Sequence, residues 1–178
     1  MSVSDLDLAL RAKDGDERAF QLLLERHYGT LYRVGYRFFG NAAEAEDVAQ
    51  EVAMTLAHRI GSFRGDSRFT TWLYRVAVNA CRDHARRQKS ARELQSSYMA
   101  FAEHRAADWE DSDVKVRWLY RALDVLESAL KETALLVLAE DMSHAEAGEV
   151  LGIAESTVSW RMHEVKKRLK TMARQPDG

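Results

Sequence analysis

The sequence predicts an all-α protein: two small helical domains joined by a linker, the second containing a helix-turn-helix. Three observations predict this. Strand-like alternation is absent, and Leu, Ala, Arg and Glu recur with helical periodicity. Proline, which interrupts helices, occurs once, as Pro176 in the tail. The periodicity fades between about Ser90 and Asp113, where polar residues collect, and resumes near Val114. A chain of 178 residues suits one or two small domains, and an apolar share of 46 % supplies a core for each. The predicted boundaries are a first domain over 1–90, a linker over 91–113, a second domain over 114–174 and a tail over 175–178.

Each element has its own signal. Asp16 to Tyr28 places Ala19, Phe20, Leu23, Leu24 and His27 on one helix face, and Thr30 to Phe39 reads as a second, aromatic-rich helix. Ala42 to Ile60 carries an apolar stripe of Ala45, Val48, Ala49, Val52, Leu56 and Ile60. Gly61 to Asp66 breaks the pattern, and Ser67 to Arg87 resumes it. Beyond the linker, Trp118, Leu119, Ala122 and Leu126 share a face, and Leu130 to Glu140 forms another helix. Ser143-His144-Ala145-Glu146 fits a capping box, in which Ser143 caps the first turn and Glu146 reaches back. The helix it opens runs to Leu151. Gly152 ends that helix in a left-handed conformation, Ile153 and Ala154 turn, and a longer helix starts near Glu155 with Val158, Met162, Val165 and Leu169 inward.

Charge and composition exclude several function classes. No apolar run approaches the roughly 18 residues of a membrane span. The N-terminus carries Asp5 and Asp7 before any cation, with no hydrophobic signal region, so neither secretion nor membrane insertion is expected. The single cysteine, Cys81, excludes an internal disulfide and fits a reducing cytoplasm. Cys81 and His84 form a Cys-x-x-His pair, but two ligands on one helix do not close a zinc site. The other histidines are scattered. No nucleophile–base pair, phosphate loop or metal cluster stands out, so no enzyme, cofactor or metal is expected.

Net charge is only −2, yet it is unevenly spread. Arg75, Arg82, Arg86, Arg87, Lys89 and Arg92 form one cationic patch, and Arg161, Lys166, Lys167, Arg168, Lys170 and Arg174 form another. Acids gather at Asp5 to Glu17, Glu44 to Glu51 and Asp108 to Asp113. In the first patch, Arg75, Asn79, Arg82, Arg86 and Lys89 recur every three or four residues, a stripe on one helix face that can track phosphates. Phe69, Trp72, Leu73, Val76 and Ala80 fall largely on the opposite side, where most of the Trp72 ring packs. A solvated charged face would show the same stripe. In the second patch, Ser156, Thr157, Ser159, Trp160, Arg161 and His163 open the last helix at positions that reach base edges in a major groove. Lys166 and Lys167 follow at positions suited to phosphate. A plain helical hairpin would share the capping box and the glycine turn.

Taken together, the two halves resemble bacterial sigma factors of the sigma-70 family, in the small two-domain group with extracytoplasmic function (ECF). The resemblance covers about Asp14 to Leu169 apart from the linker. Ala45-Glu46-Asp47-Val48-Ala49-Gln50-Glu51-Val52 resembles region 2.2. Phe63-Arg64-Gly65-Asp66-Ser67 with Phe69, Thr71, Trp72 and Leu73 resembles region 2.3, Arg75 to Asn79 with Arg82 and Asp83 resembles region 2.4, and Glu146 through Arg161 resembles region 4.2.

The resemblance implies a cytoplasmic transcription initiation factor that binds core RNA polymerase and directs it to −35 and −10 promoter DNA. It implies that Asp47, Gln50 and Glu51 dock on the β′ clamp helices. It also implies that the loop around Phe63, Arg64, Gly65, Ser67 and Phe69 captures a flipped base, with Arg75, Asn79, Arg82 and Arg86 on the −10 strand. An anti-sigma factor would hold the activity off. Three departures stand out: Leu126-Glu127 lacks the family's proline, Glu146-Ala147-Gly148 replaces Glu-Ile-Ala, and Trp160 replaces a commonly small residue. Gly148 costs about 1 kcal/mol of helix stability unless it permits close packing. The rival reading is a stand-alone helix-turn-helix regulator that binds duplex DNA as a dimer.

Overall fold

The computed structural model describes residues 3–96 and 114–174. Among these the regular structure is helical throughout, in two compact units, Met1–Ala107 and Asp108–Gly178.

The first unit opens with a helix, α1 (Asp5–Lys13), in a stretch that the sequence marked only as acidic. Ser4 caps it by accepting from the Asp7 N–H at 3.1 Å. Asp5 and Asp7 sit in the first turn and Arg11 and Lys13 in the last, each matched to the helix dipole. Leu8, Ala9 and Ala12 enter the core.

Where two helices were expected, a single one, α2 (Glu17–Phe39), runs through Gly29. Gly29 is exposed, with nothing within 4 Å of the position of a Cβ, so it weakens the helix without breaking it. The buried face continues across it, from Ala19 and Leu23 to Leu31, Val34 and Gly35. That shared apolar stripe outweighs a local cost of about 1 kcal/mol.

Gly40 ends α2 in the left-handed region, at φ 63°, and Asn41 caps α3 (Ala42–Arg59) by accepting from the Glu44 N–H at 3.0 Å. The hairpin is tight because a Cβ on Gly35 would stand 3.0 Å from Ala45 Cα, so the two helices cross almost backbone to backbone. A single 3-10 turn, Ile60–Ser62, leads to the loop before α4 (Phe69–Ser96). The core of this unit is the apolar stripe predicted for α3 together with Phe69, Leu73, Val76, Ala77, Ala80 and Cys81 of α4. α4 outruns its expected end at Arg87 and enters the segment read as linker, consistent with the helix-forming run Ala91-Arg92-Glu93-Leu94-Gln95. The rest of that segment, 97–113, and the tail, 175–178, lie outside the described residues.

The second unit contains α5 (Val114–Asp124), α6 (Ser128–Ala134) with a π-helical turn at Leu135–Ala139, α7 (His144–Leu151) and α8 (Glu155–Arg174). Ala122, Leu123, Leu126, Leu130, Leu135 and Leu136 pack with Ala147, Val150, Val158, Met162 and Val165. Trp118, expected on the inner face of α5, is 40 % exposed. No helix among the described residues is long and apolar enough to cross a membrane.

Candidate polymerase and nucleic-acid interfaces

α3 buries Ala45, Val48, Ala49 and Val52 against α2 and α4, and this turns Asp47 and Gln50 to solvent. Their setting is more organised than an acidic stripe. Gln50 Nε2 donates to Glu46 Oε1 at 2.9 Å, and the Tyr28 hydroxyl donates to the same oxygen at 2.7 Å. These two bonds, Tyr28 first, hold the Glu46 carboxyl below its ordinary range, and the nearby carboxylate in turn raises the Tyr28 phenol. Glu46 is therefore an anion at neutral pH.

Glu51 is not a bare acid. Arg87 of α4 approaches it with both guanidinium nitrogens, Nη1 donating to Oε1 at 3.1 Å and Nη2 to Oε2. Arg87, counted with the cationic patch in the sequence, thus belongs to the acidic face. Met54, seven residues after Asp47, adds an apolar side chain 79 % exposed to the same stripe. The i+7 spacing of Met54 from Asp47 is readable in the sequence, but its exposure is not.

The loop before α4 behaves differently from expectation. Phe63 and Phe69 are 1 % and 2 % exposed, so neither ring is a free platform for a base. They pack edge to face with centroids 5.7 Å apart, and Trp72 leans on both at 5.6 and 5.7 Å. An aromatic pair flanking a glycine turn satisfies the core first, because burying each ring contributes on the order of 2 kcal/mol. What the rings do is hold the loop. Gly65 turns with φ 80°, Arg64 is exposed and Ser67 half-buried. Lys13 of α1 donates to the Phe63 carbonyl at 3.0 Å, tying the loop's start to the first helix. The loop and α1 line an open pocket of about 400 Å³ whose walls include Asp5, Leu6, Gly65, Ser67, Arg68 and Phe69.

Along α4, Arg75, Asn79 and Arg86 are exposed and Arg82 half-buried, on the face opposite Leu73, Val76 and Ala80. Arg82 donates to Asn79 Oδ1 at 3.1 Å, which fixes the two as a unit, and Arg86 pairs with Asp83. Cys81 is fully buried. His84 lies 2.8 Å from Gln88 Nε2 and edge-on to Phe39, a packed position. Among the described residues no three metal-ligating side chains converge.

In the second unit the capping box forms as the sequence predicts: Ser143 Oγ accepts from the Glu146 N–H at 3.2 Å while Glu146 Oε2 accepts from the Ser143 N–H at 3.0 Å. Gly152 closes α7 at φ 69°. With Val158, Met162 and Val165 buried, α8 presents Ser156, Ser159, Trp160, His163, Lys166 and Lys167 outward, and Thr157 half-buried. Trp160 is 64 % exposed. His144 Nδ1 lies 2.8 Å from Ser159 Oγ, so that hydroxyl is already engaged with α7.

Arg161 departs from the DNA-reading set. Its Nη1 reaches inward to the Ala129 carbonyl at 3.4 Å and the Thr133 hydroxyl at 3.3 Å, binding α8 to α6. Arg161→Ala should therefore lower the stability of the second unit by about 1 kcal/mol, a lost hydrogen-bonded anchor, with any DNA defect following from that. Thermal melts of Arg161→Ala and Trp160→Ala side by side check this. Equal, unchanged melting would return Arg161 to the reading face.

Known proteins resemble this chain in sequence and in fold. Sigma-70 region 2 matches residues 23–91, the span holding α3, the loop and α4's cationic stripe. The ECF RNA polymerase sigma factor SigM of Mycobacterium tuberculosis is 33 % identical over 167 residues, covering 93 % of this chain and 83 % of that one. The RNA polymerase sigma-H factor of Pseudomonas aeruginosa is 44 % identical over 80 residues, which is 45 % of this chain and 42 % of that protein. Among solved structures, CnrH in complex with the cytosolic domain of CnrY superposes with a TM-score of 0.69 at 25 % identity, covering 95 % of this chain and 96 % of that one.

Proposed function

Because this chain belongs to the extracytoplasmic-function group of the sigma-70 family, we propose a division of labour in which the first domain, 1–90, docks on core RNA polymerase through α3 and holds the melted −10 strand, while the second, 114–174, reads the −35 duplex. The observation that carries this reading is that one unit exposes two surfaces of unlike character: the acidic, partly apolar face of Glu46, Asp47, Gln50, Glu51 and Met54, and the cationic edge of Arg75, Asn79 and Arg82. A protein partner suits the first surface and a nucleic-acid strand the second. The clamp helices of the β′ subunit are the partner proposed for the acidic face.

Melting DNA requires a base to leave the stack, which costs a few kcal/mol that binding must repay. Here a base entering the pocket beside Gly65 would find apolar wall, backbone and polar side chains together, while Arg75, Asn79, Arg82 and Arg86 take the flanking strand and backbone. On α8, Ser156, Trp160 and His163 face the groove and Lys166 and Lys167 the phosphates. Segment 91–113 sets the spacing between the two readers. The protein catalyses no reaction; it positions the polymerase that does. It works in the cytoplasm, and by analogy with CnrH, solved with another protein's cytosolic domain, a protein partner covers it until needed. An anti-sigma factor is the partner class proposed.

Transcription from a promoter library with purified bacterial core polymerase tests the reading. Initiation that depends on both proteins, at a shared two-part element, supports it. Duplex binding without polymerase, and no initiation with the polymerase of its own source, would support the stand-alone regulator instead. Within this frame, Asn79→Ala combined with Arg82→Ala should slow open-complex formation at least about tenfold while polymerase affinity stays within about twofold, since the pair faces DNA. Gel-shift with core and potassium permanganate footprinting separate the two effects, and an equal loss of both would indicate misfolding.

A further inference from the structure

Two of the seven residues lining the pocket beside the loop, Asp5 and Leu6, lie outside the sigma-70 region 2 match, which begins at residue 23. α1 supplies Asp5 and Leu6, and is fixed there at both ends. At one end Lys13 donates to the Phe63 carbonyl. At the other, Arg26 Nη1 donates to Asp5 Oδ1 at 2.9 Å and to the Val3 carbonyl at 2.8 Å, and His27 Nε2 lies 2.8 Å from Asp5 Oδ2. His27 in turn leans on Phe69, with ring centroids 5.3 Å apart. A Cβ on Gly65 would meet Leu6 Cδ1 at 3.7 Å, so the glycine turn and α1 share one wall. At about 400 Å³ the space lies toward the lower end of small-molecule sites, which run from roughly 300 to 1,000 Å³.

We propose that α1 completes this pocket as a nucleobase site and that Asp5 sets its specificity, favouring a base with an exocyclic amine (adenine, cytosine or guanine) over thymine. This rests on the −10 reading above and goes beyond it in naming the residue and the base class. Ionised Asp5 only accepts hydrogen bonds, and its contacts with Arg26 and His27 occupy one site on each oxygen, leaving a lone pair on each. An exocyclic amine donates to such an acceptor. Thymine has no amine, and its one N–H lies between two carbonyl oxygens that a carboxylate repels. Because Arg26 and His27 hold the carboxylate in place, the acceptor is pre-positioned rather than recruited.

The test uses the full chain with core polymerase on templates premelted over the −10 element, with each of the four bases placed in turn at each non-template position. At one position the wild-type protein should disfavour thymine roughly tenfold. Asp5→Asn, which is isosteric and can keep both the Arg26 and His27 contacts while adding a donor, should bring thymine within about twofold there and leave the other positions unchanged. Arg26→Ala removes one of the two contacts that position the carboxylate but leaves His27 on Oδ2, and should retain most of the discrimination. An unchanged base ranking in Asp5→Asn overturns the inference and leaves the proposed function standing. Relaxation in Arg26→Ala as large as in Asp5→Asn also overturns it, since anchoring of α1 and not the carboxylate would then be responsible. No initiation by the wild-type protein on any template removes the proposed function, and the inference with it.

Discussion

Asp47→Arg should weaken binding to core RNA polymerase by roughly thirtyfold or more, about 2 kcal/mol, with no fall in melting temperature. Asp47 is exposed on α3 and reverses sign at the centre of an acidic face, so a complementary partner meets like charge where it expected opposite. Stability should not change, because the residue faces solvent and surface substitutions of this kind usually stay within about 0.5 kcal/mol. A sharper version exchanges the partners of the neighbouring ion pair. Glu51 and Arg87 are linked through both guanidinium nitrogens, and the Arg87 guanidinium is held protonated all the more firmly by that carboxylate. Glu51→Arg with Arg87→Glu keeps an ion pair between α3 and α4 but inverts its orientation. If the partner reads charge at α3, the exchange should lose affinity as Asp47→Arg does while the protein melts normally. If it reads only apolar surface, Met54→Ala alone would lower affinity and both charge variants would bind as wild type. Fluorescence anisotropy of labelled protein against core, at two salt concentrations, reads all three, and the charge effects should shrink as salt rises.

The parts of the fold that were legible in the sequence are those encoded by contiguous residues. Ser143, Glu146 and Gly152 specify the ends of α7 through a capping box and a left-handed terminus, both local events, and the helix runs from His144 to Leu151 as predicted. The apolar stripe of α3 was legible for the same reason. What depended on tertiary contacts was not. Gly29 looks like a break until Leu31 and Val34 are seen to bury on the face that Leu23 began. Phe63 and Phe69 sit in a loop motif that suggests base stacking, yet their nearest neighbours are Trp72 and His27, which lie on two different helices. Arg161 and Arg87 carry the charge that DNA attracts, but Thr133 and Glu51, each more than 25 positions away, take them up. An arginine's target is decided by what the fold brings within reach of its long side chain, and spacing along one helix does not contain that information. The same holds for α1: only the fold shows that Asp5 and Leu6 stand beside Gly65.

Gly148→Val should unfold the helix-turn-helix and abolish −35-dependent initiation, leaving the first unit folded. In sequence this glycine stands where a helix former belongs, at a cost of about 1 kcal/mol. In the structure a Cβ there would lie 2.8 Å from the Ile153 carbonyl oxygen and 3.5 Å from the Glu155 amide nitrogen, both backbone atoms of the turn into α8. The Ile153 N–H donates to the Gly148 carbonyl at 3.0 Å, so the turn cannot back away without losing that bond. Even Gly148→Ala should therefore destabilise, by about 1–3 kcal/mol from overpacking, where an open helix site would gain about 1 from the same change. Valine adds two methyl groups against an immovable wall. A domain of about 60 residues holds only roughly 3–9 kcal/mol in total, so the loss can exceed what is available. Gly152→Ala is the control: it has open space around it but φ 69°, so it should cost only the left-handed penalty of about 1–2 kcal/mol. Hydrogen exchange of the full chain separates the outcomes, with protection lost in α7 and α8 and kept in α2 to α4 for Gly148→Val. A Gly148→Ala protein more stable than wild type would mean that the turn has room, and that the glycine is there for some reason other than the 2.8 Å approach.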